Sequence, residues 1–154
     1  MSSKFFERRS VRNQLKTYLE SKGWINLNWS EGFSSLVLET IVPPYITVTL
    51  DDLGKVELEI GRDPNINKAF LRKVQIDIYM EDENRVNAIT DDISDFLDIE
   101  PILIKDNNTT VIGSMVSDTS SIIADTNVPS FEEEESLRWG GVVSCTYDTF
   151  YPNG

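Results

Sequence analysis

Three acidic clusters are the residues of this chain whose type and spacing could carry out chemistry. Asp51-Asp52, Glu81-Asp82-Glu83 and Asp91-Asp92 supply adjacent carboxylates, and a two-metal nuclease requires carboxylates that converge on its ions. The hydrophobic pattern predicts a turn for the first cluster, a helix start for the second and the solvent side of a helix for the third. Because these positions do not converge, we interpret all three clusters as structural.

The composition supplies no other catalytic set. The chain has no histidine, which removes the commonest general base and the commonest zinc ligand. Cys145 is the single cysteine, and its alternation with apolar neighbours predicts a buried, inert thiol. Asp106-Asn107-Asn108 begins like a calcium loop, but Val111 stands at the sixth position, where glycine is required. We therefore predict that the protein is not an enzyme and uses no cofactor and no metal.

The strongest structural signal is a change of hydrophobic period between residues 71 and 97. From Val74 to Met80 apolar and polar residues alternate, which is typical of a strand with one buried face. From Val86 to Leu97 the apolar spacing becomes helical, and Asp82 stands where a helix N-cap is expected. The sequence therefore predicts a strand followed directly by an amphipathic helix that packs on it.

The segments before this unit predict a helix and a β-hairpin. Residues 4–22 have helical apolar spacing and are followed by Gly23, which is typical of a helix C-cap. Tyr45–Leu50 and Lys55–Ile60 both alternate, and the Asp51–Gly54 stretch between them is rich in turn formers. We therefore predict a β-hairpin over residues 45–60.

The segments after the unit predict short strands and one long loop. Strand candidates are residues 102–104, 111–116 and 140–151, whereas the polar stretch within 105–138 predicts an extended surface loop region. The fold class expected is α+β: a mainly antiparallel sheet with two helices packed on one face, a β-hairpin and a long C-terminal loop. Residues 1–154 should form one domain.

Charge is distributed unevenly along the chain. Residues 1–22 hold six basic and two acidic side chains, a net of +4, which leaves −16 for the rest of a chain whose total is −12. Phosphate contacts need a basic face, so specific DNA binding is not expected. The basic helix, with Arg8, Arg9 and Arg12, is either a solvated surface or a docking surface for an acidic partner. No apolar run approaches the ~20 residues of a membrane span, so no membrane partner is expected.

The acidic run Glu132–Glu135 lies within the predicted loop. Four adjacent carboxylates repel one another and hydrate strongly, so the run cannot lie in a core. It is either a solvated loop or part of a segment that reaches a neighbouring molecule, with Phe131 and Trp139 anchoring its two ends. The candidate interface residues are therefore Arg8, Arg9, Arg12, Phe131, Glu132, Glu133, Glu134, Glu135 and Trp139.

The order of these elements resembles a known family. A basic N-terminal helix precedes Pro44-Tyr45-Ile46-Thr47-Val48 and Glu59-Ile60-Gly61, then comes Val74-Gln75-Ile76-Asp77-Ile78-Tyr79 feeding into a helix, and a C-terminal strand closes the chain. This pattern, over roughly residues 4–104 and 140–151, is similar to the tail terminator (tail completion) proteins of long-tailed bacteriophages and their neck-protein relatives.

The resemblance implies a structural virion protein with no enzymatic activity. Such proteins form a ring, expected here to be a homohexamer, that terminates the tail tube and offers an attachment surface to the head connector or stopper protein. DNA would be only the passing genome, and the protein would be made in the host cytoplasm and reside in the tail or neck of the virion. The alternatives left open are another head–tail joining protein, such as a head-completion or stopper protein, and a non-virion binding module or enzyme.

Overall fold

The computed structural model describes residues 3–30, 44–55, 66–80, 82–98, 101–106, 110–129 and 139–152. In chain order the elements are α1 (Ser3–Ser21), β1 (Asn28–Ser30), β2 (Tyr45–Lys55), β3 (Ile66–Met80), α2 (Glu83–Leu97), β4 (Ile102–Asp106), β5 (Thr110–Pro129) and β6 (Trp139–Pro152). Within these residues the strands form one sheet in the order β1-β2-β3-β6-β5-β4. Every pair is antiparallel except β1 with β2. The predicted α+β class is confirmed.

One face of the sheet carries the hydrophobic core, because every second residue of the central strands points to it. On β3 the fully buried residues are Val74, Ile76, Ile78 and Met80. The register places Cys145 opposite Val74 and Val143 opposite Ile76, so β6 continues the same buried face. Burying a large aliphatic side chain contributes roughly 1.5–3 kcal/mol, so the central pair β3–β6 supplies a large share of the stability.

Both helices contribute buried residues to the hydrophobic core. The α1 helix buries a stripe at helical spacing, Val11, Leu15 and Leu19, and α2 buries Val86, Ile89, Thr90, Ile93, Phe96 and Leu97. A Cβ built on Gly141 of β6 would lie 3.1 Å from Val86 Cγ1 and 3.3 Å from Thr90 Oγ1. The glycine therefore lets α2 approach the backbone of β6 closely.

The predicted helix caps are confirmed. Asp82 precedes α2, and its Oδ1 accepts a hydrogen bond from Asn84 N at 2.8 Å, which satisfies one of the free amides of the first turn. Gly23 has φ +94°, and the chain beyond it turns back so that Trp24 N donates to Leu19 O at 2.9 Å. A residue with a side chain would be strained in that left-handed conformation.

The turn predicted at Asp51–Gly54 is wrong. Strand β2 continues to Lys55 and pairs with β3 along its whole length, ending at Lys55 opposite Phe70. A register shift between Asp52 and Gly54 accommodates the extra residue as a β-bulge. The second strand of the predicted hairpin, residues 56–60, lies outside the described residues.

The strand predicted at residues 111–116 is confirmed as part of β5, whereas the long loop is wrong for residues 117–129, which continue that strand, and for residues 105–106, which belong to β4. Two register shifts against β6, between Asp118 and Ile123 and between Asp125 and Val128, accommodate the surplus residues. At the first of them Ser121 Oγ accepts from Thr146 N at 2.8 Å and donates to Asp118 O at 2.6 Å. A side chain thus replaces the missing backbone partner of β6. Residues 107–109 and 130–138 lie outside the described part of the chain.

The free edge of β4 is covered by α1. Ser10 Oγ accepts a hydrogen bond from Lys105 N at 3.0 Å, and Gln14 Nε2 donates to Leu103 O at 2.7 Å. Helix α1 also contacts β2, toward the other end of the strand order, so the sheet curls around the helix.

Candidate interaction surfaces

The structure places the predicted interface residues on different elements. Arg8, Arg9 and Arg12 all lie on α1 and are half-buried. Trp139 is the first residue of β6, where it pairs with Met80 and Pro129. The acidic run and Phe131 lie outside the described residues. The three arginines therefore lie together on one helix. Their contact with the acidic run of a neighbouring molecule stays a prediction.

Arg9 packs on the aromatic residues at the start of α1. Its guanidinium carbon lies 5.0 Å from the ring centre of Phe5 and 5.3 Å from that of Phe6, and the two rings meet edge to face. Such cation–π contacts hold the guanidinium against its own helix. Arg9 is therefore oriented by packing within its own helix, and the sequence pattern did not predict this contact.

A basic ridge follows one flank of α1. Arg8, Arg12 and Lys16 succeed one another at intervals of four residues, so their side chains are neighbours along the helix. Lys16 is exposed, whereas Arg8 and Arg12 are half-buried. We call these three residues the α1 ridge.

The sheet face opposite the core is exposed along β5. Val116, Asp118, Ile123 and Asp125 stand opposite Asp148, Thr146, Ser144 and Val142 of β6, whose neighbours Val143, Cys145 and Tyr147 point to the core. All four β5 residues are exposed, and Val116 and Ile123 are 41% and 66% accessible. We call these four residues the β5 outer face. Because apolar and acidic side chains alternate on it, this surface can make both hydrophobic and charged contacts.

The sheet face opposite the core is exposed at β5 but buried at β2 and β3. Tyr45, Asp77 and Tyr79 are less than a tenth exposed, and the two tyrosine rings lie 6.1 Å apart. Burial raises the pKa of the Asp77 carboxyl, while hydrogen bonds at 3.3 Å from Gln75 Nε2 to both its oxygens lower it in part. Burial, together with the charges of Asp77 and Tyr45, raises the pKa of Tyr79 to about 12. The surroundings of Asp77 and Tyr79 therefore favour the neutral, protonated forms of both side chains.

A buried ion pair attaches α1 to the sheet. Glu7 Oε1 accepts from Arg72 Nε at 2.8 Å, with the two side chains 0% and 3% exposed, and Glu7 Oε2 accepts from the Tyr151 hydroxyl. The Arg72 guanidinium carbon also lies 4.6 Å from the ring centre of Phe70. Both carboxylate oxygens are thus satisfied away from water, as a buried charge requires.

Sequence reasoning missed this ion pair, although a signal for it exists. Arg72 precedes Val74 and Ile76 by even numbers of residues, so it falls on the buried face of its strand. Glu7 lies four residues before Val11, on the buried stripe of its helix. The buried stripe of α1 and the buried face of β3 must pack against each other. An acidic residue on one and a basic residue on the other therefore indicate a buried ion pair.

The acidic clusters serve structural roles where their side chains have partners. Asp82 caps α2, and Asp92 Oδ2 accepts a hydrogen bond from Trp24 Nε1 at 2.6 Å. Among the described residues, no three His, Cys, Asp or Glu side chains are grouped as metal ligands. Cys145 is buried, as predicted, and burial raises the pKa of its thiol.

No known family model matches this chain, and no curated protein sequence matches it significantly. Neither described helix combines the length and apolar character needed to cross a membrane.

Proposed function

We propose that this chain is a structural subunit of a bacteriophage virion. Copies of it form a ring, with six the expected number, that terminates the tail tube and presents an attachment surface to the head connector. The resemblance rests on element order, and the structure has a basic α1, then β2, then β3 leading into α2, and β6 at the end. That agreement in order supports the proposal.

The observation that carries the proposal is the opposition of charge between two surfaces. In the two-layer subunit that we propose, with both helices on one face of the sheet, the α1 ridge belongs to the helix layer and the β5 outer face to the exposed side of the sheet. A closed ring joins two different surfaces of one chain in a head-to-tail manner. Opposite charge on those surfaces favours that contact and disfavours contact between like surfaces.

The direct test is electron microscopy of the purified protein with purified tail tubes and, separately, with heads. The expected result is a closed ring of six subunits at the head-proximal end of the tail, with no binding to heads alone. Ring assembly should weaken as salt is raised, because exposed charges are screened. Binding to heads in place of tails would favour a head-completion or stopper protein, and a single bound copy on the tail would contradict the proposal.

The acidic run provides a second test. Replacing Glu132–Glu135 with four serines should leave the melting temperature nearly unchanged and weaken assembly, because the run is expected to contact a neighbouring subunit. A matched control replaces Asp91 and Asp95 with serine, since both are exposed on α2. If both variants complete tails as the parent protein does, the run is only a solvated surface.

A further inference from the structure

We infer that the β5 outer face binds the α1 ridge of a second copy of this chain. The inference rests on the proposed ring, because it specifies which surfaces of successive subunits meet. The two surfaces are matched in charge, since the β5 outer face exposes Asp118 and Asp125 and the α1 ridge is entirely basic.

The spacing of the charges also matches. Asp118 and Asp125 stand opposite Thr146 and Val142, four residues apart on β6, which corresponds to about 13 Å at ~3.3 Å per residue. Arg8 and Lys16 are eight residues apart on α1, which corresponds to about 12 Å at a rise of ~1.5 Å per residue. The first and last charges of the ridge can therefore reach the two carboxylates at the same time.

The apolar residues of the β5 outer face fit the same arrangement. Ile123 stands opposite Ser144, midway between the rows of Asp118 and Asp125. Arg12 is midway between Arg8 and Lys16 on the ridge, and the aliphatic stem of an arginine readily covers an apolar side chain. The contact would thus cover Ile123, which is 66% exposed in the single chain.

The surface of β5 is continuous in sequence with the candidate acidic run. Strand β5 ends at Pro129, and Glu132–Glu135 follow it in the chain. The sequence therefore stays acidic beyond the strand, and an acidic segment favours a basic partner. The helix of a second copy is the basic segment that this chain itself provides.

A pair of surface variants tests the contact without disturbing the fold. Ile123→Lys should weaken self-association at least tenfold, because it places a positive charge opposite Arg12 where an apolar contact is expected. Ile25→Lys is the matched control, since Ile25 is 60% exposed and belongs to neither surface. Association is measured by sedimentation at high protein concentration and by the number of copies bound per tail end. If the two variants associate to the same extent and bind tail ends in the same number of copies, the inference is overturned.

Charge reversal identifies the partner surface. Arg8→Glu/Lys16→Glu alone and Asp118→Lys/Asp125→Lys alone should each impair association, whereas an equal mixture of the two proteins should recover it because unlike surfaces then alternate around the ring. Circular dichroism melting shows whether each variant is folded. If the mixture associates no better than the separate folded variants, the two surfaces do not meet.

Zero-length cross-linking gives a readout that needs no variant. Protein labelled with ¹⁵N is mixed with unlabelled protein, alone or on tail tubes, and treated with a carbodiimide that joins amines to carboxylates. We expect peptides that join Lys16 of one isotope to Asp118 or Asp125 of the other. Their absence from assembled rings would overturn the inference and leave the ring intact. Cross-links in a protein that binds no tail tube would contradict the proposed function and support the contact.

Discussion

Removing the positive partner of the buried ion pair should cost a large fraction of the stability of this protein. In Arg72→Met the Glu7 carboxylate stays at a site with 0% exposure and keeps only the hydrogen bond from Tyr151. Breaking a buried pair in this way costs roughly 3–5 kcal/mol. For a chain of this length that corresponds to a fall in melting temperature of roughly 6–20 °C.

The double variant separates the cost of an unpaired charge from the net value of the pair. Glu7→Leu combined with Arg72→Met removes both charges, and such replacements are often close to neutral. The hydroxyl of Tyr151 then loses the hydrogen bond to Glu7, and losing a buried hydrogen bond costs up to about 1–3 kcal/mol. We expect the double variant to be more stable than either Glu7→Leu or Arg72→Met, with a coupling free energy of several kcal/mol.

The assay is urea denaturation of the parent, both single variants and the double variant, followed by circular dichroism. The control is the same cycle on Lys16 and Glu20, an exposed pair on α1, for which the coupling should be about 0.5 kcal/mol or less. A cost below about 1 kcal/mol for Arg72→Met, or a coupling no larger than that of the surface pair, would refute the reasoning, because the charges would then be hydrated.

Three further substitutions test the core, a close approach and the pH dependence. Ile76→Asp, at a fully buried position of the central strand, should abolish the cooperative thermal transition in circular dichroism, whereas Leu103→Asp at an exposed position of β4 should retain it. Gly113→Ala should lower the free energy of unfolding by roughly 1–3 kcal/mol, because the new Cβ would lie 2.6 Å from Phe150 O; an unchanged urea midpoint would contradict this. Because the pKa of Tyr79 is raised to about 12, its contribution is present below its ordinary pKa of ~10 and lost as pH rises toward 12. Tyr79→Phe should therefore make stability fall less steeply between pH 10 and 12, and an identical slope in urea titrations would count against the assignment.

The elements that could be predicted from sequence are those whose periodicity is locally strong. The alternation of residues 74–80 and the helical spacing of residues 86–97 each predict one element type, and β3 and α2 confirm both. Asp82 and Gly23 mark helix ends through chemistry that acts within a few residues. None of these predictions needed knowledge of a distant segment.

The errors occur where a distant strand decides the local structure. Asp51–Gly54 has the composition of a turn, yet Asp51, Asp52 and Gly54 themselves pair with β3, which holds the stretch extended. The polar residues within 117–129 have low intrinsic strand preference, and β6 supplies the backbone partners that make them a strand. The Glu7–Arg72 pair joins residues 65 positions apart. It could be predicted only by combining the buried stripe of α1 with the buried face of β3.

In the ring that we propose, the covered edge of β4 favours association through side chains over strand pairing at that edge. Free strand edges invite indiscriminate pairing with other chains. Here Ser10 and Gln14 of α1 occupy the backbone groups of Lys105 and Leu103, so a neighbour cannot add a strand at this edge without displacing the helix. Displacing α1 would also expose the Glu7–Arg72 pair, which is costly to break. The association that we propose, between the α1 ridge and the β5 outer face, would depend instead on charge and on a small apolar area. We therefore expect it to be weak between free subunits and to strengthen only when a tail end holds several copies together.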